Sequence, residues 1–260
     1  MNILVILKEF LPATFANGKE ETFRLCDTDR QVLTEALHLR DAVSGQVTVL
    51  AHGSMDGADI LMDIWSYAPD RVVMLPNPEN TSFDAANMPV RAKAIASAVR
   101  QLGEFSLILF GRQASDGDSI HIAALVSHFL GFPLVTYTQQ LQFLSGEEFL
   151  ASCVDDYSVY TVRATFPAVV LSIRDKQTPR YPRIADIRKA YGGKCITEYI
   201  SFSGQNTVDP AATSYSFLLL EEYPPETDRA AETVFLSGNN NEEKAEKLFQ
   251  LLRAKGYTAR

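Results

Sequence analysis

The chain has 260 residues, 46% of them hydrophobic and 22% charged, a composition that excludes disorder, collagen-like repeats and fibrous structure. A net charge of −8 argues against nucleic acid or an anionic membrane as the main partner. Cys26, Cys153 and Cys195 lie far apart without CxxC spacing, so neither a disulfide framework nor a zinc site is expected, and a reducing cytoplasm fits. No basic leader and no run of about twenty apolar residues is visible, which leads to the expectation of a cytoplasmic protein without a membrane span.

Residues 3–7 are apolar on both faces, the pattern of a central parallel strand covered by helices. A polar stretch, residues 8–29, precedes a helical pattern with Val32, Leu33, Ala36, Leu37 and residues 39–43, which Thr28 or Asp29 is placed to cap. Residues 47–51 read as a second buried strand ending at His52-Gly53, 56–67 as a helix, 71–75 as a third strand and 77–87 as a loop. Residues 90–102 carry Ala92, Ile95, Ala96 and Val99 at helical spacing. Residues 106–110 form a fourth strand, and Gly111 begins a polar loop. A helix over 119–130, stopped by Gly131 and Pro133, leads to a strand over 134–137. This alternation predicts an α/β fold: a twisted, mostly parallel sheet with helices on both faces. Short β-like runs at 139–143, 149–154 and 157–164 add a small antiparallel excursion before a return strand at 168–172.

Composition shifts after residue 200, which divides the chain into an α/β domain (1–200) and a C-terminal arm (201–260) that fits a partner's surface as much as its own core. In the arm, residues 214–220 are strand-like. Asn239-Asn240-Asn241 precede an amphipathic helix whose apolar face is Ala245, Leu248, Phe249 and Leu252.

The loop Gly111-Arg112-Gln113-Ala114-Ser115-Asp116-Gly117-Asp118-Ser119 carries the most chemistry. It ends a buried strand and opens a helix, the place where open α/β sheets bind nucleotides. The amides of Gly117, Asp118 and Ser119 are placed to hold a phosphate, with Arg112 adding charge. Asp116 and Asp118 suit capping or hydrogen bonds from ribose or adenine. The same pattern also fits an ordinary capped loop, and it is neither a P-loop nor GxGxxG. Among the histidines, His38 and His128 read as exposed helix residues, whereas His52 and His121 sit near a strand end and a helix opening. No nucleophile has a base beside it, so hydrolytic chemistry has no support. Gly53-Ser54-Met55-Asp56-Gly57 reads as a tight turn, not a nucleophile elbow. Pro179-Arg180-Tyr181-Pro182-Arg183, leading into residues 184–191, suits docking to an acidic partner or a solvated basic loop.

Taken in order, these segments resemble the β-subunit of electron-transfer flavoproteins, including nitrogen-fixation-linked and bifurcation-like homologues. Asn2-Ile3-Leu4-Val5-Ile6-Leu7-Lys8 resembles the opening strand, and Thr34-Glu35-Ala36-Leu37 is similar to "EEAL". Gly111-Arg112-Gln113-Ala114-Ser115-Asp116-Gly117-Asp118 is similar to "GKQAIDGD", the most specific element. Gly131-Phe132-Pro133-Leu134-Val135-Thr136 resembles "GLPQVT". Pro167-Ala168-Val169-Val170 followed by Pro179-Arg180-Tyr181 resembles "PAVV" and "EPRY".

The resemblance implies an α/β fold of Rossmann-like, adenine-nucleotide-binding type over 1–200, a heterodimer with an α-subunit that holds most of the redox FAD and on which the arm 201–260 would pack, and electron carriage from a flavin dehydrogenase to a downstream acceptor. It implies AMP or a second FAD bound in this chain. The contacts would be Ile6, Cys26, Asp27, Thr28, Asp29, His52, Gly111, Arg112, Gln113, Ala114, Ser115, Asp116, Gly117, Asp118, Ser119, His121 and Ile122. The glycine of Asp116-Gly117-Asp118 leans towards the bifurcation-like branch. His121 replaces a glutamine of the family pattern, and Cys153 stands where a turn glutamate is usual. The resemblance places dehydrogenase docking on Arg180 through Lys189, with Ile184 as anchor. A regulatory nucleotide-binding module of universal-stress type is the alternative. It would need a late glycine-rich phosphate loop, which the sequence lacks.

Overall fold

The buried apolar runs form the strands of a nine-stranded sheet in a computed structural model of the chain. The structure describes residues 1–7, 25–53, 58–76, 88–111, 113–114, 117–118, 120–145, 147–154, 158–173, 180–201, 236–238 and 240–255. The elements are β1 (Asn2–Leu7), α1 (Asp27–Val43), β2 (Gln46–Gly53), α2 (Ala58–Ser66), β3 (Arg71–Pro76), α3 (Met88–Leu102), β4 (Leu107–Gly111), β5 (Gln113–Ala114), β6 (Gly117–Asp118), α4 (Ile120–Leu130), β7 (Leu134–Ser145), β8 (Glu148–Val154), β9 (Val159–Thr165), β10 (Ala168–Ser172), α5 (Ile184–Tyr191), β11 (Glu198–Tyr199) and α6 (Asn241–Ala254). The chain divides into two compact units, Met1–Ser216 and Phe217–Arg260.

Strand order in the large sheet is β11-β3-β2-β1-β4-β10-β7-β8-β9. From β11 to β7 every neighbouring pair is parallel, whereas β7-β8 and β8-β9 are antiparallel. This is the expected α/β architecture with its antiparallel excursion. β1 shows why both faces need helices. Ile3, Val5 and Leu7 pack with Val32, Leu33 and Leu37 of α1 and Ile64 of α2. Leu4 and Ile6, one residue out of phase, pack with Ile95 and Val99 of α3 and Val126 of α4. Each fully buried side chain of this size contributes about 1.5–3 kcal/mol relative to exposure. Gly131, at φ +74, ends α4. Its amide and that of Phe132 donate to the Ser127 carbonyl at 2.9 and 3.1 Å.

The structure corrects the sequence reading at three elements. The cap of α1 is Cys26, not Thr28 or Asp29: its backbone is extended and its Sγ accepts the Asp29 amide at 3.4 Å. Thr28 and Asp29 lie within the first turn and are buried. The strands expected at 134–137 and 139–143 are one strand, β7. Tyr137 at φ 55 breaks its period, and the register shifts there against both β10 and β8. The loop after Gly111 contains an antiparallel pair, Gln113 with Asp118 and Ala114 with Gly117, so Gly117 and Asp118 do not open α4, which starts at Ile120. Cys153 is buried within β8, outside any turn.

The loop expected at 77–87 and the strand-like run at 214–220 lie outside the described residues. In the second unit, Asn240 caps α6, its Oδ1 accepting the Glu243 amide at 2.8 Å, and Leu248, Phe249 and Leu252 are exposed. Among the described residues no helix is long and apolar enough to cross a membrane.

Candidate functional site

Because β1, β2, β4 and β10 run parallel, their carboxyl ends share one edge of the sheet. The chain moves outward from β1 to β2 and β3 on one side, and to β4 and β10 on the other. The reversal between β1 and β4 opens a crevice beyond the strand ends, where ligands of such sheets bind. Ile6 sits one residue inside that edge, in register with Leu50 and Phe110. His52 stands at the end of β2 and Gly111 at the end of β4, in register with Ser172 of β10.

The first turn of α1 is pressed onto the same edge. A methyl group at Gly111 would meet Thr28 Cγ2 at 2.9 Å, the Thr28 carbonyl oxygen at 3.4 Å and Asp29 Oδ1 at 3.6 Å. Glycine is required there by this close approach, since its φ is not positive. Two further ties fix α1 that the sequence reading missed. Ser172 Oγ donates to Glu35 Oε2 at 2.7 Å. The Leu25 amide donates to Asp63 Oδ2 of α2 at 3.3 Å, with Arg30 3.8 Å from the same carboxylate. Both pairs are distant in sequence and carry no local signal.

Electrostatics divide the edge in two. Asp27 and Asp29 occupy the first turn of α1, where they match the positive end of the helix dipole, and Asp29 is 4% exposed. Buried carboxylates accept hydrogen bonds and repel phosphate. The first turn of α4 has no acidic residue, and there His121 is exposed while Ile122 is buried. That helix start leaves amide donors without an anionic competitor on its own turn. His52 is buried, and desolvation followed by the positive charge of Arg91 lowers its imidazole to about 3, so it is neutral at physiological pH. Burial, reinforced by Asp29, raises the Cys26 thiol to about 11. That sulfur is an uncharged cap, not a nucleophile.

Of the expected contacts, Ile6, Cys26, Asp27, Thr28, Asp29, His52, Gly111 and the pair His121 and Ile122 lie on strand ends or helix starts of this edge. The backbones of Gln113, Ala114, Gly117 and Asp118 form the two-residue pair that follows β4. Arg112, Ser115, Asp116 and Ser119 lie outside the described residues. A cavity of about 480 Å³ lies between α1, the end of β10 and the antiparallel strands, lined by polar groups including Gln31, His38, Gln140 and Ser152. Its lining also includes Glu35 and Ser172, so it adjoins the strand-end edge on the β10 side.

A second region is built from residues 180–201. The Arg180 amide donates to Thr34 Oγ1 at 3.3 Å, and its guanidinium pairs with Asp41 at 2.9 Å. Helix α5 then packs on α2. Past it, Trp65 Nε1 donates to Thr197 Oγ1 at 3.0 Å, and Arg71 makes a two-pronged contact with Glu198 at 2.7 and 2.6 Å. That fork holds the Glu198 carboxyl below the usual range. Ile184 stands exposed at the start of α5.

Residues 19–199, more than half of the chain, match the family model for the electron transfer flavoprotein domain. The chain is 27% identical to electron transfer flavoprotein subunit beta of Thermoanaerobacterium thermosaccharolyticum over 205 residues, 75% of this chain and 76% of the relative. It is 27% identical to the protein of the same name from Clostridium acetobutylicum over 165 residues, 63% of this chain and 61% of the relative. It is 24% identical to the caffeyl-CoA reductase-Etf complex subunit CarD of Acetobacterium woodii, again over 63% and 61% of the two chains. Thus the match spans about three quarters of the first relative and about three fifths of the other two.

Proposed function

The chain belongs to the electron transfer flavoprotein family, and from that premise we propose that it is the nucleotide-binding β-subunit of a two-subunit electron carrier. With an α-subunit holding the main FAD, it carries electrons from a flavin dehydrogenase to a downstream acceptor in the cytoplasm. The relatives' names as subunits, one of them within a reductase complex, support the assembly. The observation that carries the reading is the convergence at one sheet edge of Ile6, Cys26 to Asp29, His52 and Gly111.

The donor set suits an adenine nucleotide, AMP or the adenosine half of a second FAD. Asp29 and the acidic start of α1 accept hydrogen bonds from ribose hydroxyls or the adenine amine. The α4 start and the loop around Gly117, Asp118 and Ser119 take the phosphate. In the same stretch of sequence, Arg112 adds positive charge and Asp116 accepts from the nucleoside. Ile6 and Ile122 supply apolar floor, and neutral His52 closes the wall without adding charge. A bound flavin supplies the redox chemistry. The chain's own residues bind, orient and exclude water; none transfers a proton in the reaction.

Residues 180–189 dock the dehydrogenase, with Ile184 as the anchor. Coexpression with the α-subunit and stopped-flow reduction by a flavin dehydrogenase test the function. Flavin reduction that depends on both subunits is expected. A complex that no flavin dehydrogenase of the source organism reduces would refute it.

A further inference from the structure

Six of the twelve large hydrophobic residues that are exposed among the described residues lie between positions 181 and 199: Tyr181, Ile184, Ile187, Tyr191, Ile196 and Tyr199. So high a density of exposed apolar groups along one stretch of chain marks an interaction surface. Ile184, Ile187 and Tyr191 follow the i, i+3, i+7 spacing of one helical stripe on α5, whereas Ala190 is the buried residue of the helix. Ile196 and Tyr199 lie beyond the helix, 83% and 56% exposed.

Those last two are not side chains of a loose tail. Thr197 is held by Trp65, Glu198 by the Arg71 fork, and the Ile200 amide donates to the Met74 carbonyl at 3.0 Å. β11 pairs in parallel with β3, Glu198 opposite Val73 and Tyr199 opposite Met74. The backbone on either side of the exposed groups is therefore fixed before any partner arrives, which lowers the ordering cost of binding.

Charge gives the partner's chemistry. Residues 180–201 contain five basic and two acidic side chains, in a chain whose net charge is −8. Arg180, Arg183 and both acids are engaged in ion pairs. Arg188, Lys189 and Lys194 make no ion pair among the described residues, and they flank Tyr191 and Ile196 in sequence.

Building on the docking role proposed for residues 180–189, we propose that the dehydrogenase-binding surface of this chain continues past α5. Tyr191, Ile196 and Tyr199 form a second contact area, and the partner meets it with an apolar surface rimmed by carboxylates. Ile184 supplies the first anchor and Ile196 the second, while Arg188, Lys189 and Lys194 steer the approach.

The test uses the complete two-subunit complex and the purified flavin dehydrogenase that reduces it fastest, with dithionite as a partner-independent reductant. Ile196→Asp is expected to raise the dehydrogenase concentration for half-maximal reduction at least tenfold, with nucleotide content and dithionite reduction unchanged. Lys189→Glu combined with Lys194→Glu is expected to raise it severalfold and to flatten its salt dependence between 0.05 and 0.5 M, roughly the range over which exposed charges become screened. Unchanged docking in Ile196→Asp, alongside weakened docking in Ile184→Asp, would confine the surface to α5 and overturn the proposal. Unchanged docking in both would overturn the underlying docking role as well. Dimerisation of the wild-type complex that Ile196→Asp abolishes would reassign the patch to self-association and also overturn the proposal.

Discussion

Replacing Gly111 by alanine probes the junction that builds the crevice, because the added methyl would sit 2.9 Å from Thr28 Cγ2 and 3.4 Å from the Thr28 carbonyl oxygen. The first distance is far inside van der Waals contact, so α1 or β4 must shift. Overpacking of this kind costs about 1–3 kcal/mol. Alanine at a compatible φ also reduces the entropy of the unfolded chain and returns about 0.4–1 kcal/mol. The net expectation is a loss of up to about 2.6 kcal/mol in urea unfolding, accompanied by weaker nucleotide retention in the two-subunit complex. Thr28→Ser removes Cγ2 and leaves the backbone in place. In that background Gly111→Ala should be close to neutral, giving a coupling in the double-mutant cycle of the same size as the clash. Full destabilisation by Gly111→Ala in the Thr28→Ser background would show that this contact does not set the α1–β4 distance.

Three further outcomes follow from the site. His52, lowered to about 3 by burial and Arg91, is neutral when folded and charges at its ordinary value of 6.5 when unfolded. Its contribution to stability is complete above pH 6.5 and declines as pH falls towards 3, so His52→Gln should lose less stability than wild type between pH 7 and 4.5; equal losses would contradict this. The Cys26 thiol, raised to about 11, should react with iodoacetamide at a rate still climbing above pH 10, and a plateau by pH 9 would refute its buried cap role. Asp116→Ala should reduce the nucleotide retained by the complex, and unchanged stoichiometry would remove that side chain from the site.

The sheet was readable wherever a strand is apolar on both faces. β10 coincides with the expected 168–172, and β1 differs from its expected span by one residue. Such runs leave the chain no alternative to burial between two helical layers. What escaped the reading depends on distant or weak interactions. A thiol is a poor hydrogen-bond acceptor, so the sequence favours Thr28 or Asp29 over Cys26 as the cap, although those two are drawn inward against Gly111. β7 hides its continuity because Tyr137 in the left-handed region reverses the alternation that marks a strand. The pairs β5–β6 and β11–β3 involve two residues each, too few for any period. The Gly111 loop announced itself through its place after β4 and its family-like order, whereas Ser172–Glu35 and Leu25–Asp63 join residues far apart and needed the fold.

Denaturing the purified two-subunit complex and counting the released nucleotides by chromatography decides whether the crevice between β1 and β4 holds the proposed adenine nucleotide. One adenine nucleotide per complex is expected beyond the FAD proposed for the α-subunit: AMP in a one-flavin carrier, or a second FAD in a bifurcation-like one. Release of the α-subunit's FAD alone would contradict it.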